Sequence, residues 1–334
     1  MTAAAPDSPR IIAFMNQKGG VGKTTTTVNL GAALAQLGRR TLIVDLDPQA
    51  HATLHLGGGA DGADGSVYDL LHDPAAAAPI REVAENLWLL PAETDLAAAE
   101  TELGQAADRH GLLARSLQAL QGRDDGRFDF ILLDCPPSLG LLTLNGLAAA
   151  GEVVIPMQAH FLALQGVGKL LETVALVTQS VNPGLDVFGI VLCMHDAQTT
   201  HTQEVVSDLE AFFEQAREQD TPWKDARVLR PPIRRNIKLA EAPSFGQSIF
   251  GYAAGAPGAL DYLELARNFV PAEEPARVEQ ESMALATRAP AGAIARVEPP
   301  AKAPDPAPAA AVEPKPDGAP AAEGASADPQ PASR

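Results

Sequence analysis

The chain has 334 residues, 46% hydrophobic and 20% charged, which suits a globular fold of one large α/β domain or two smaller ones. Of the net charge of −17, residues 271–334 carry −4 and the remainder −13, which excludes a general polyanion-binding surface; DNA contact would need a small local patch helped by dimer avidity. The two cysteines, Cys135 and Cys193, lie far apart without a C-x-x-C partner, which argues against a disulfide scaffold or a zinc site and fits a reducing compartment. No apolar run approaches the roughly 18 residues that span a bilayer. The segment Met1–Arg10 lacks the apolar core of a signal peptide, so a cytoplasmic protein is expected.

In chain order, residues 1–9 read as a short extension and 10–270 as one α/β domain. Strands are expected at Ile11–Asn16, Thr41–Asp45, Leu87–Leu90, Phe128–Asp134, Val153–Met157, Val187–Met194 and Arg227–Arg230. Helical patterns fall between several of them, at Thr24–Leu37, Leu141–Ala150, Leu164–Ser180 and Thr202–Glu218. Gly38 follows the first helix where a C-terminal cap belongs. Strands that are apolar throughout, alternating with helices, predict a three-layer α/β fold: a mainly parallel sheet flanked by helices. Gly57–Gly65 reads as a surface loop. From Pro271 to Arg334 the chain is mostly Ala, Pro and scattered Glu without apolar periodicity. That composition predicts a disordered or polyproline-like tail, a spacer or else a partner-docking segment. It lacks the pattern of an amphipathic membrane helix.

The chemistry starts where the first strand runs into Gln17-Lys18-Gly19-Gly20-Val21-Gly22-Lys23-Thr24-Thr25 and a helix follows. Glycines let successive N–H groups turn into one concavity, and the helix adds its positive N-terminal end, so together they hold phosphates. This is the P-loop pattern of an ATP- and magnesium-using enzyme. Gly19 to Thr25 would form the cradle, Lys23 would reach the β- and γ-phosphates, and the Thr24 hydroxyl would bind Mg²⁺. Thr25 is expected at the α-phosphate. Gln17 stands where the motif's first glycine usually falls, and a second lysine, Lys18, follows it. Asp134 ends an apolar strand at the carboxyl edge, where open α/β sheets bind ligands and where an acid would hold the magnesium water shell. Asp45 and Asp47 lie at strand spacing for a shared face toward the same site, although Asp47 also suits a turn cap before Pro48.

Lys18–Thr25, Val44-Asp45-Leu46-Asp47-Pro48-Gln49 and Leu133-Asp134-Cys135-Pro136-Pro137 together resemble the deviant-Walker ATPases of the ParA/MinD superfamily. The stretch Arg234 to Gly246 is similar to a region of chromosomal, Soj-like ParA proteins, and the resemblance covers about residues 10–270. It implies a nucleotide-switched homodimer that segregates or positions DNA or another cargo. Lys18 would cross to the partner's nucleotide, Asp47 would position or activate the attacking water, and Asp45 and Asp134 would support magnesium. Gly19 would stay small for the ATP sandwich to close, and Pro136 and Pro137 would lie in the γ-phosphate switch. The resemblance further implies non-specific DNA binding in the ATP state; in this chain Arg234, Arg235 and Lys238, with Arg230 nearby, form a compact basic cluster that suits either DNA contact or a solvated helix start near the nucleotide base. A ParB-like partner would stimulate hydrolysis, and the nucleoid would be the working place if DNA is the track.

The chain also departs from that family. Gln198 stands in Asp196-Ala197-Gln198 where chromosomal ParA proteins usually carry a DNA-contacting arginine, and Gln165 stands where Glu is usual. The short N-terminus lacks the helix-turn-helix of self-repressing plasmid relatives. Alternatives are a MinD-like positioning ATPase on a membrane, disfavoured by the tail, and an electron-transfer ATPase of the nitrogenase iron protein type. For the latter, Cys135 and Cys193 have the right count in the wrong settings, and two small core thiols are the better reading. A metabolic ATP-dependent ligase or kinase is a third, because fold alone does not exclude it. Histidine-based acid–base catalysis gains no support: His195 and His201 have no paired carboxylate or nucleophile in sequence.

Overall fold

The computed structural model describes residues 8–58, 65–76, 78–121, 127–160, 163–196 and 200–270. In chain order the first elements are β1 (Arg10–Phe14), α1 (Lys23–Gln36), β2 (Thr41–Asp45), α2 (His51–His55), α3 (Val67–His72) and β3 (Arg81–Ala84). Next come β4 (Leu87–Leu90), α4 (Leu96–Glu102), α5 (Leu112–Gln121), β5 (Phe130–Asp134), α6 (Leu141–Ala149), β6 (Glu152–Met157) and α7 (Ala163–Ser180). The last are β7 (Asp186–Leu192), α8 (Thr200–Ala216), β8 (Arg227–Leu229), α9 (Ile237–Glu241), a 3₁₀ turn at Ala242–Phe245, α10 (Ile249–Ala253) and α11 (Pro257–Ala266). Gln198, the central part of the Gly57–Gly65 loop and the tail from Pro271 lie outside the described residues.

Eight strands form one sheet in the order β3-β4-β2-β5-β1-β6-β7-β8, and every neighbouring pair is parallel except β3 with β4. The central strands are buried on both faces, and their side chains alternate between two cores. Ala13, Leu42, Val44, Ile131 and Leu133 face the side of α3 to α8. Ile12, Phe14, Ile43 and Leu132 face the side of α1, α10 and α11. Each fully buried side chain of this size contributes about 1.5–3 kcal/mol, so the continuous apolar strands, not the exposed helix faces, hold the layers together. Helix α1 lies close on the sheet because Gly31 faces it; a Cβ there would meet Ile43 Cδ1 at 2.8 Å. Gly38 takes φ +74° and closes the end of α1 through its N–H to the Ala35 carbonyl, as the sequence predicts.

The register puts function at one edge. Phe14 pairs with Asp134, and Asp134 pairs with Asp45, so the carboxyl ends of β1, β5 and β2 are level. The loop leaving β1 therefore emerges beside both aspartates. Strand β3 is absent from the sequence reading. It is four residues long, its burial alternates, and Asn86 turns the chain into β4 at φ +60° without the glycine that marks most tight hairpins.

Candidate functional site

Local sequence shapes the cradle. Gly20 and Gly22 adopt φ +72° and +93°, a region that favours glycine, and Gly22 caps α1. Gly19 and Gly20 have open space where a Cβ would stand, whereas a Cβ on Gly22 would meet Cys193 Sγ at 3.2 Å. Gly22 is therefore pressed on the core while Gly19 and Gly20 face outward. Val21 is buried and anchors the loop, and Thr24 and Thr25 are half-buried at the start of α1.

Lys23 is almost fully buried, with its Nζ 4.0 Å from Asp47 Oδ2 and 3.9 Å from Asp134 Oδ1. Both distances exceed a hydrogen bond, so the ammonium lies between two carboxylates without closing on either. Asp134 is completely buried. Its Oδ1 accepts from Thr27 Oγ1 at 3.0 Å. Its Oδ2 is buried with no partner. Burial raises the Asp134 pKa, with Lys23, Thr24 and Thr27 opposing the shift. An orphaned carboxylate oxygen beside a buried lysine and a threonine hydroxyl suits a hydrated cation. Among the described residues no three His, Cys, Asp or Glu side chains gather as a metal cage. Magnesium carried on phosphates needs no such cage, since one or two protein ligands suffice.

The other two acids divide the work differently from the expectation of one shared face. Strand β2 ends at Asp45, and Asp47 stands on the following turn. Asp45 turns to its own chain: Oδ2 accepts from the Thr53 amide and hydroxyl, both at 2.8 Å, and Oδ1 accepts from the Asp47 amide at 3.1 Å. With both oxygens engaged it shapes the turn that presents Asp47. Burial, then the Asp134 charge, raises the Asp45 pKa to about 7. Asp47 does both things weighed for it. Oδ1 caps the turn through the Gln49 amide at 3.0 Å, and Oδ2 faces Lys23.

Lys18 is exposed at the mouth of the loop, with Nζ 2.6 Å from His160 Nε2. After β5, Pro136 is buried while Pro137 and Leu139 are exposed, and Thr143 Oγ1 ties the segment to α6 through the Ser138 carbonyl at 2.6 Å. Cys135 and Cys193 lie in the two cores on opposite faces of the sheet, and burial raises their thiol pKa values to about 12 and about 11. Sequence reasoning missed Thr27, Thr53, Gln158 and His160. Thr27 alone had a signal, one helical turn beyond Lys23, where its hydroxyl also meets the Lys23 carbonyl at 3.1 Å.

In the basic segment, three of the four cations face neighbouring acids. Arg234 forks onto buried Asp261, Nε donating to Oδ2 at 2.9 Å and Nη2 to Oδ1 at 2.5 Å, and its amide bonds the same carboxylate at 3.1 Å. Lys238 Nζ is 2.8 Å from Glu241, and Arg230 is 2.6 Å from Glu210. Arg235 is exposed and forms no ion pair with another described residue. His195 is half-buried beside Arg234 in a single β-bridge, with its Nδ1 unpartnered and its pKa lowered by burial and by Arg230. No described helix is long and apolar enough to cross a membrane.

Comparisons place this geometry among known proteins. A family model described as an AAA domain matches residues 9–187. The sporulation initiation inhibitor protein Soj of Bacillus subtilis (strain 168) is 44% identical over 260 residues, covering 77% of this chain and 97% of that one. The chromosome partitioning protein ParA of Caulobacter vibrioides (strain NA1000 / CB15N) is 39% identical over 266 residues, covering 79% and 95%. Among solved structures, cobyrinic acid a,c-diamide synthase from Mycobacterium smegmatis with bound ADP and magnesium matches at TM-score 0.62 and 40% identity, covering 78% of this chain and 93% of that one.

Proposed function

The chain belongs to the Soj/ParA family of partitioning ATPases, and from that premise we propose that ATP and magnesium drive it between a monomer and a dimer that positions DNA or another cargo. It is an ATPase of the P-loop class. The observation that carries the site assignment is the buried Lys23 held at ion-pair distance between Asp47 and Asp134 without a closed hydrogen bond to either, under a loop whose Gly19 and Gly20 are open. Such a site is organised for an incoming triphosphate before it arrives, so little reorganisation remains when charge develops.

In this reading the Gly19–Thr25 amides hold the phosphates and Lys23 draws onto the β- and γ-oxygens. The Thr24 hydroxyl would ligate magnesium, and Asp134 Oδ2 would hold a water of its shell while Thr27 fixes the carboxylate. Bound magnesium neutralises charge on the β- and γ-phosphates. Asp47 orients the attacking water, and Asp45, anchored by Thr53, holds Asp47 in place through its amide. Lys18 reaches the partner's nucleotide, which makes full charge stabilisation depend on a second subunit and makes turnover slow in the monomer. A ParB-like activator fits that gap. DNA binding in the ATP state would rest on Arg235, with Arg234 and Lys238 contributing only if they leave their acids. Residues 1–9 and 271–334 are assigned as extensions to the ATPase domain at 10–270, and the nucleoid would be its place of work.

The test is phosphate release with and without magnesium, beside DNA co-sedimentation with ATP, ADP or no nucleotide. Magnesium-dependent hydrolysis and ATP-dependent DNA binding lost in Arg235→Glu are expected. Dimerisation with ATP but no DNA binding at low salt would remove DNA as the track and leave a protein-positioning switch. The Mycobacterium name offers a second reading, in which ATP serves amide synthesis. Hydrolysis by the chain alone, with no amide-forming substrate, counts against it.

A further inference from the structure

The first half of the P-loop is clasped by the end of β6 and the segment that follows it. Asn16 Nδ2 donates to the Pro156 carbonyl at 2.8 Å, and Gln158 Nε2 donates to the Gly20 carbonyl at 3.2 Å. Within the same clasp Lys18 Nζ meets His160 Nε2 at 2.6 Å, and the Lys18 amide donates to Asn16 Oδ1 at 3.0 Å. Residues 16, 18 and 20 thus each meet one residue of the stretch 156–160, so the Lys18–His160 contact belongs to a three-point clasp. An ammonium has donors and no acceptor, so in this contact Lys18 Nζ donates and His160 Nε2 accepts. Lys18 forms no ion pair with a carboxylate among the described residues. A histidine ring is therefore its side-chain partner among the described residues, a contact without the second charge of an ion pair's carboxylate.

We propose that His160 is a positioning residue that parks Lys18 against its own subunit until the ATP sandwich forms. This rests on the intersubunit reading of Lys18 given above. A lysine engaged in cis is not available to the partner's nucleotide, so the fraction of subunits with Lys18 free scales the apparent affinity of the dimer. Parking also keeps the ammonium off the subunit's own phosphates. A lone subunit then lacks the charge that would complete stabilisation of the transferring phosphoryl group.

The experiment measures ATP- and magnesium-dependent dimerisation of the full chain by sedimentation. It compares wild type, His160→Ala, His160→Gln, Lys18→Ala and the Lys18→Ala/His160→Ala pair, with monomer ATP binding followed by calorimetry. His160→Ala is expected to tighten the dimer about three- to tenfold, with monomer ATP affinity unchanged. His160→Gln places an amide oxygen near the former Nε2 and should return the affinity toward wild type. In the Lys18→Ala background, His160→Ala should change nothing. A His160→Ala dimer no tighter than wild type, or an effect that persists without Lys18, overturns the parking role alone. A wild-type dimer indifferent to Lys18→Ala overturns the intersubunit reading beneath it, and the parking role with it.

Discussion

Lys23 and Arg234 both face aspartates, yet the two pairs are built in opposite ways. Arg234 closes on Asp261 with a hydrogen-bonded fork and adds its backbone amide. Lys23 stands 3.9 and 4.0 Å from its carboxylates, and one oxygen of Asp134 has no partner at all. A closed pair is a structural tie, whereas an open one at a buried site is chemically unfinished and takes its last partner from outside. The same contrast separates the phosphate edge, where cation and acids await a ligand, from the segment 230–241, where neighbouring acids have already neutralised most of the cations.

The strongest test of that contrast removes the open cation. Lys23→Ala should cut magnesium-dependent ATP hydrolysis by about 10²–10³-fold in steady-state phosphate release, the usual loss for one preorganised charge donor. Undiminished hydrolysis would place the chemistry elsewhere. Asp47→Ala should lower hydrolysis by about 10²-fold while ATP binding persists, so that ATP-bound dimers accumulate on size-exclusion chromatography. If binding and hydrolysis fall together, Asp47 serves mainly as the turn cap that its contact to Gln49 also allows.

On the closed side, Asp261→Ala strips Arg234 of its partner and should lower the melting midpoint by about 2–4 °C, with hydrolysis per folded molecule little changed. An unchanged midpoint would show the fork to be ornamental to stability. A smaller and graded effect follows from Asp45, whose pKa is raised to about 7 from an ordinary 3.8. Folding takes up a proton there, so this group's contribution is fully present below about pH 4 and is lost as pH rises through 7. The nucleotide-free protein should therefore melt progressively lower across that range, and magnesium–nucleotide binding should release protons in calorimetry run in buffers of different ionisation enthalpy. Least of all, Arg235→Glu should leave the melting midpoint unmoved, because the side chain is exposed and makes no ion pair with another described residue; any loss it causes is one of DNA binding.

Much of this was legible along the chain. The strands at 41–45 and 87–90 fall where apolar runs put them, and the ends of most other elements shift by only a residue or two. The glycines of the P-loop, Lys23 and the aspartate ending β5 follow from local chemistry: a phosphate cradle is built from consecutive amides, and a parallel strand buried on both faces writes itself as an unbroken apolar run. Short, half-exposed β3 and the brief helices around it left no such mark, since four to seven residues hold too little periodicity to read.

What only the tertiary structure decided is which polar groups find one another. Thr27 meets Asp134 across 107 positions, and Lys18 meets His160 across 142. Asp45 spends its carboxylate on Thr53, and Arg234 spends its charge on Asp261. Charge and spacing name the candidates, but a hydrogen bond depends on distances of a few tenths of an ångström between residues remote in sequence. The sequence by itself determined a glycine-rich turn between the first strand and its helix, with the backbone chemistry of a phosphate cradle; the packing of the sheet determined which charged groups meet beside it.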